Sequence, residues 1–289
     1  MSIQHETFFH APTSTATFVV WDEATSRAAV IDPALDFEPK AARLSTASAD
    51  AILAFLRERG LTLDYVLETH AHADHLSAAD YLRRSSGAKV VIGEQIKAVQ
   101  AHFREVFGAD DVSPDGRAFD ILVRDADELP LGESSIKVMH TPGHTAACVT
   151  YLIGDGAYVG DTLFMPDYGT ARTDFPGGDA TALYRSIRRI LELPPQTKIY
   201  VGHDYLPEGR TAIAWESTVA EQRARNIHIH DGVSEAEFVA MRRKRDADLP
   251  PPLLILPSLQ VNIRAGALPP PDPQGRIFLR LPVSIGSTG

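Results

Sequence analysis

Four short polar segments rich in histidine and aspartate each follow directly on an apolar, β-prone run, and this recurrence constrains the chain more than any other feature. Residues 65–67 lead into Glu68-Thr69-His70-Ala71-His72-Ala73-Asp74-His75, and residues 136–139 into His140-Thr141-Pro142-Gly143-His144-Thr145. Residues 157–159 lead into Gly160-Asp161-Thr162, and residues 198–201 into Gly202-His203-Asp204-Tyr205. One His or Asp past a strand reads as a turn former or a satisfied polar group. Four such segments on separate strands point to a single site at the carboxyl edge of an α/β sheet, where such folds carry their functional loops. Neutral imidazole and carboxylate are ligands for borderline transition metals, and the alternation within residues 70–75 lets side chains at i and i+2 point the same way.

The pattern around these segments alternates strand and helix. Residues 17–20 and 28–31 read as a hairpin ended by Asp32 and Pro33. Ser48 caps a helix carrying Ile52, Leu53 and Leu56 and stopped by Gly60. Residues 77–86 are expected to be helical, and Ile96, Val99, Phe103 and Val106 mark a second amphipathic face. Strands dominate residues 121–159, and Leu183, Ile187, Ile190 and Leu191 form a further helical face before Pro194 and Pro195. Residues 215–225 read as helix, and Ser234 with Glu237 forms a capping box. With 289 residues, the chain divides into a body over residues 1–248 and a proline-rich tail over 249–289. The tail is expected to be extended, with its apolar stretches 253–256 and 277–281 packed on the body or on a neighbouring subunit.

A formal charge of −10 argues against nucleic acid as a partner. The single cysteine, Cys148, excludes an intrachain disulfide framework, and its apolar setting reads as an inward strand residue. Residues 1–18 lack a signal-peptide pattern, and no run approaches the ~18 apolar residues of a membrane span. A cytoplasmic protein with no membrane partner is expected.

The quoted segments resemble the metallo-β-lactamase superfamily: His70, His72, Asp74 and His75 match its HxHxDH motif, and His144, Asp161 and His203 its later ligand positions. The resemblance implies a four-layer αββα sandwich, an α/β (α+β) fold whose two halves contribute to one groove. Within the superfamily the chain is similar to the persulfide dioxygenases. The similarity lies in residues 70–75, 141–145, 148–150, Arg172-Thr173-Asp174-Phe175, His203-Asp204-Tyr205 and Asn262-Ile263-Arg264-Ala265-Gly266. It implies an iron oxidoreductase of sulfur metabolism and hydrogen sulfide detoxification, oxidising glutathione persulfide with O2 to sulfite and glutathione. The ligands implied are His70, His144 and Asp161 for one Fe(II) per chain, with His72, Asp74, His75 and His203 orienting ligands and water or holding a second metal. Two His and one carboxylate leave coordination positions for O2 and substrate, whereas zinc has no redox chemistry.

Arg172, Tyr205, Arg223 and His228 are the candidates for holding the tripeptide, His228 standing where the family carries a glutathione-binding arginine. The basic run at residues 241–246 reads as a solvated helical face. A homo-oligomer, dimer or tetramer, and a rhodanese partner are also expected. Two alternatives use the same residues: a glyoxalase II-like thioester hydrolase with two zinc ions, and a non-enzymatic, metal-bearing module that senses sulfide.

Overall fold

The computed structural model describes residues 2–283. Its first half runs β1 (Ile3–His10), β2 (Thr15–Asp22), β3 (Arg27–Ile31), β4 (Ala34–Glu38), β5 (Arg43–Ser45), α1 (Ala47–Glu58), β6 (Thr62–Leu67), β7 (Leu76–Ser77), α2 (Ala79–Ser86), β8 (Lys89–Gly93), α3 (Ile96–Phe107) and β9 (Ile121–Val123). The second half runs β10 (Glu128–Leu131), β11 (Ser134–His140), β12 (Val149–Ile153), β13 (Gly156–Tyr158), α4 (Ala180–Ile190), β14 (Lys198–Tyr200), β15 (Glu216–Thr218), α5 (Val219–Arg225), α6 (Glu235–Asp246) and α7 (Ile255–Asn262). One six-stranded sheet has the order β1-β2-β3-β6-β8-β9, a second takes β10 to β15 in sequence order, and β5-β4-β7 form a smaller sheet.

The two-residue period of the strands decides the layers. Phe18, Val20, Ile31, Leu67 and Val91 of the first sheet share a buried cluster with Ile136, Val138, Tyr151 and Tyr158 of the second, so the sheets pack face to face. The alternate residues Val19, Val30, Val66 and Val90 turn away, onto Ile52 and Leu56 of α1, Leu82 of α2 and Ile96 of α3. Beyond the second sheet, Met139, Ala157 and Ile199 meet Leu183, Ile187 and Ile190 of α4 and Phe238 of α6. The stack is the αββα sandwich that the motifs imply. No described helix is long and apolar enough to cross a membrane.

Strands β3, β6, β8 and β9 are parallel, so their carboxyl ends share one edge. The two sheets come together at that edge, where Ala16 N donates to the Gly202 carbonyl at 2.8 Å.

Several local expectations shift. Helix α1 starts at Ala47 with Thr46 as its cap residue, because the Ser48 hydroxyl is drawn to Asp36 at 2.7 Å. Leu76 and Ser77 pair with β4 before α2 begins. Glu216 to Thr218 pair with β14, and α5 starts only at Val219, where Thr218 and Glu221 form a capping box. The capping box of Ser234 and Glu237 stands as read.

The tail is not wholly extended. Residues 255–262 are helical, and Pro257 fits because it lies in the first turn, where backbone N–H groups have no helical partner. Leu254, Leu259 and Val261 join the core under α1 to α3. Leu253 is 87% exposed, and Ile277, Phe278 and Leu281 are also exposed on the single chain.

Candidate metal centre

Asp32, directly after β3, holds the start of the loop that follows β6: its carboxylate accepts from the Thr69 amide at 2.7 Å and the Thr69 hydroxyl at 2.8 Å. Opposite, Gly160 adopts φ +52°, and a Cβ there would lie 2.3 Å from Thr69 Oγ1, so only glycine lets the Asp161 turn approach this loop. Gly143 at φ +141° abuts Leu183, where a Cβ would lie 2.3 Å from the main-chain Cα, and so sets the height of His144 over α4.

These turns gather the histidines and aspartates into two adjoining groups, His70 with His144 and Asp161, and His72 with Asp74, His75 and His203. Within each, the donor atoms lie within 4.8 Å of one another. His70 Nε2 and His144 Nε2 stand 3.8 and 3.7 Å from Asp161 Oδ2, too far for hydrogen bonds. The other Asp161 oxygen lies 3.3 Å from His203 Nε2, which is also 3.3 Å from Asp74. One carboxylate therefore faces both groups.

The imidazoles are oriented by their far nitrogens. His144 Nδ1 donates to the Arg172 carbonyl at 2.9 Å, and His70 Nδ1 is 3.0 Å from Thr69 Oγ1. His72 Nε2 lies 3.0 Å from Asp32 and 3.5 Å from Glu68, on the side away from Nδ1, and neither ring nitrogen makes a hydrogen bond. His70 Nε2, His72 Nδ1, His75 Nε2 and His203 Nε2 are buried without hydrogen-bond partners. Buried polar atoms are nearly always partnered, so a group of orphaned imidazole nitrogens beside two carboxylates fits a metal cation. Burial, followed by the neighbouring imidazoles, holds His70 and His72 well below the usual histidine range, in the neutral form that ligates. Burial opposes the charge on Asp74, yet His203 and His75 outweigh it and hold that carboxyl well below its usual range. Burial likewise opposes a charge on His203, and Asp74 and Asp161 overcome it and raise its pKa.

A cleft of about 490 Å³ opens over Asp74, His144 and Asp161, walled by Phe164, Tyr168, Phe175 and Tyr205 and by residues 249–254. Tyr205 stacks on His203 with ring centroids 5.6 Å apart. Arg172 also lines the cleft, but its guanidinium is engaged by Asp174 and by the Pro250 carbonyl at 2.7 Å. His228 is not among the lining residues; its Nδ1 accepts from the Thr170 amide at 3.0 Å and supports the wall from behind. Arg223 pairs with Asp231 and does not line the cleft.

The run at 241–246 is not a purely solvated face. Arg242 is 2% exposed and pairs with Asp246, and Arg242 and Arg245 both line the cleft because α6 packs its first face against α4 and turns this one to the site. Cys148 is buried as expected, its thiol pushed up to about 12 by burial. Sequence reasoning missed Asp32 and Glu68 as partners of His72. Asp32-Pro33 carried the signal, a carboxylate at the end of a parallel strand, but read only as a strand stop.

A family model described as the metallo-beta-lactamase superfamily matches residues 11–203. The chain belongs to this superfamily. Among relatives of this superfamily member, a probable metallo-hydrolase of Burkholderia pseudomallei is 50% identical, covering 96% of this chain and 98% of its own. Glyoxylase B2 of Dictyostelium discoideum is 45% identical over 96% of each chain, and the mitochondrial persulfide dioxygenase ETHE1 of Bos taurus is 33% identical over 91% and 89%. Other relatives about half identical are longer, and the chain spans 64–65% of their length. The crystal structure of ETHE1 from Myxococcus xanthus superposes with a TM-score of 0.73 at 33% identity, over 91% of this chain and 100% of that one.

Proposed function

We propose that this superfamily member is a persulfide dioxygenase, holding one Fe(II) on His70, His144 and Asp161 and converting glutathione persulfide, O2 and water into sulfite and glutathione. The observation that supports it is the triad itself. His70 Nε2, buried without a partner, and His144 Nε2 face one carboxylate oxygen of Asp161, the donor set of non-haem iron sites that keep positions open for O2 and substrate. Bound iron would supply the redox chemistry that zinc lacks.

The chain's own contributions follow from the cleft. Thr69 and the Arg172 carbonyl hold the two imidazoles with their Nε2 lone pairs inward. Phe164, Tyr168 and Phe175 give the sulfur an apolar wall that excludes water. Arg242 is spent on Asp246 and Arg172 on Asp174. Arg245 has no carboxylate partner among the described residues, and it is the cation left to receive a carboxylate of the tripeptide at the cleft.

A second reading is favoured by one observation: the two oxygens of Asp161 face the two donor groups. That is the arrangement a dinuclear thioester hydrolase needs, and the relative named Glyoxylase B2 is the more similar of the two named enzymes. Metal analysis, with an oxygen electrode and a sulfite assay, separates the two. About one iron per chain, O2 uptake with glutathione persulfide and slow or no turnover of S-lactoylglutathione are expected. Two zinc ions and rapid S-lactoylglutathione hydrolysis would replace the dioxygenase reading with the hydrolase.

A further inference from the structure

The loop at residues 68–75 carries four of the donors, yet it belongs to no strand or helix. Something else must hold its backbone. Asn262, the last residue of α7, lies behind it and is 4% exposed. Its carboxamide nitrogen donates to the His72 carbonyl and to the His75 carbonyl, each at 2.8 Å. Its oxygen accepts from the Ser77 amide at 2.8 Å. Two donors and one acceptor are all engaged, and only an amide side chain offers that set.

Ser77 carries the connection further. Its hydroxyl donates to Glu68, whose second oxygen is 3.5 Å from His72 Nε2. Asn262 thus bears on His72 twice, through its carbonyl and through the carboxylate beside its ring. The remainder of the motif packs on the same segment. Gly266 adopts φ +84° and comes so close that a Cβ would lie 2.9 Å from the Ser77 carbonyl and the Asp80 amide. Gln100 of α3 in turn donates to the Ile263 carbonyl at 2.9 Å, anchoring the clamp to the body.

We infer that Asn262 is a positioning residue for the metal loop, and that the segment beyond the family-matched region is thereby part of the metal centre. The inference rests on the reading of His70 to His75 as metal donors. It goes beyond the choice between one metal and two, since the clamp acts on the loop that both would use. Without the amide, two buried carbonyls lose their partners, and the loop must shift to find others. A shift at His72 and His75 alters where their rings stand relative to His70 and Asp161.

The test is equilibrium binding of Co(II) to the metal-stripped full chain, read by its visible ligand-field bands and by chelator competition. The variants are Asn262→Leu, Asn262→Asp and Val261→Ala, with thermal unfolding of each metal-free protein alongside. Val261 is fully buried in the same helix and its apolar side chain can donate no hydrogen bond to a loop carbonyl, so its variant reports on α7 packing. Both Asn262 variants are expected to weaken Co(II) binding ~10- to 100-fold, as loss of partners behind metal ligands does, and to shift the bands. Val261→Ala is expected to lower the unfolding temperature while leaving the bands in place. If Asn262→Leu does not fold, Asn262→Asp, of nearly the same size, decides. Wild-type affinity and bands in the Asn262 variant that folds would overturn the inference, as would the same losses in Val261→Ala. Co(II) binding that survives His70→Ala unchanged would overturn the metal-loop reading instead, and is separately visible.

Discussion

Asp161, buried, and Asp74, half-buried, are both carboxylates beside histidines, and exchanging each for asparagine separates a ligand from a neighbour. Asp161 Oδ2 faces His70 and His144 at 3.8 and 3.7 Å, so Asp161→Asn removes the only negative charge of that triad. One unit charge about 4 Å from a single positive charge is worth about 4 kcal/mol in a partly screened protein site. Metal affinity should therefore fall by at least ~1000-fold, leaving the purified variant almost metal-free. Asp74 instead stands beside His203 at 3.3 Å and His75 at 3.4 Å, in the other group. If a single iron sits on the triad, Asp74→Asn loses only an outer partner, ~10- to 100-fold in affinity, and keeps near-stoichiometric iron when isolated. The assay is elemental analysis of wild type, Asp161→Asn, His144→Ala and Asp74→Asn, each with a circular dichroism spectrum to show folding. Two metals in the wild type, with Asp74→Asn losing one or both, would refute the mononuclear assignment.

Arg245→Ala should raise KM for glutathione persulfide roughly fivefold and leave kcat unchanged, because a partly exposed charge contact is worth about 1 kcal/mol and does not touch the reacting sulfur; steady-state O2 uptake checks it. His228 carries a pKa lowered to about 4 by burial, then by Arg242 and Arg245, so the unfolded chain takes up the proton first as pH falls. Its contribution is complete above pH 6.5 and is lost as pH falls from 6.5 towards 4, ~3 kcal/mol in all. Urea unfolding of wild type and His228→Gln across that range should show the steeper pH slope in the wild type, and equal slopes would contradict the burial argument.

The parts of the molecule that rest on neighbouring residues were legible in the chain. The capping box at Ser234 and Glu237 is a bond across one turn, the hairpin of residues 17–20 and 28–31 a short-range pairing, and the donor chemistry of residues 70–75 a property of side-chain types. Apolar strand runs alternating with amphipathic helical faces told of a layered α/β body. Partner choice at long range was not legible. Ser48 looked like a cap until Asp36 lay beside it, and the arginines of α6 looked solvated until α6 packed against α4 and turned them to the cleft. Asn262 meets the His72 carbonyl across 190 residues; the segment from Asn262 to Gly266 stood out in the resemblance, but nothing in it named that partner. A hydrogen-bonding group takes whichever partner the packed layers bring within about 3 Å. That distance is set by how two sheets and their helices stack, and only the tertiary structure decides it.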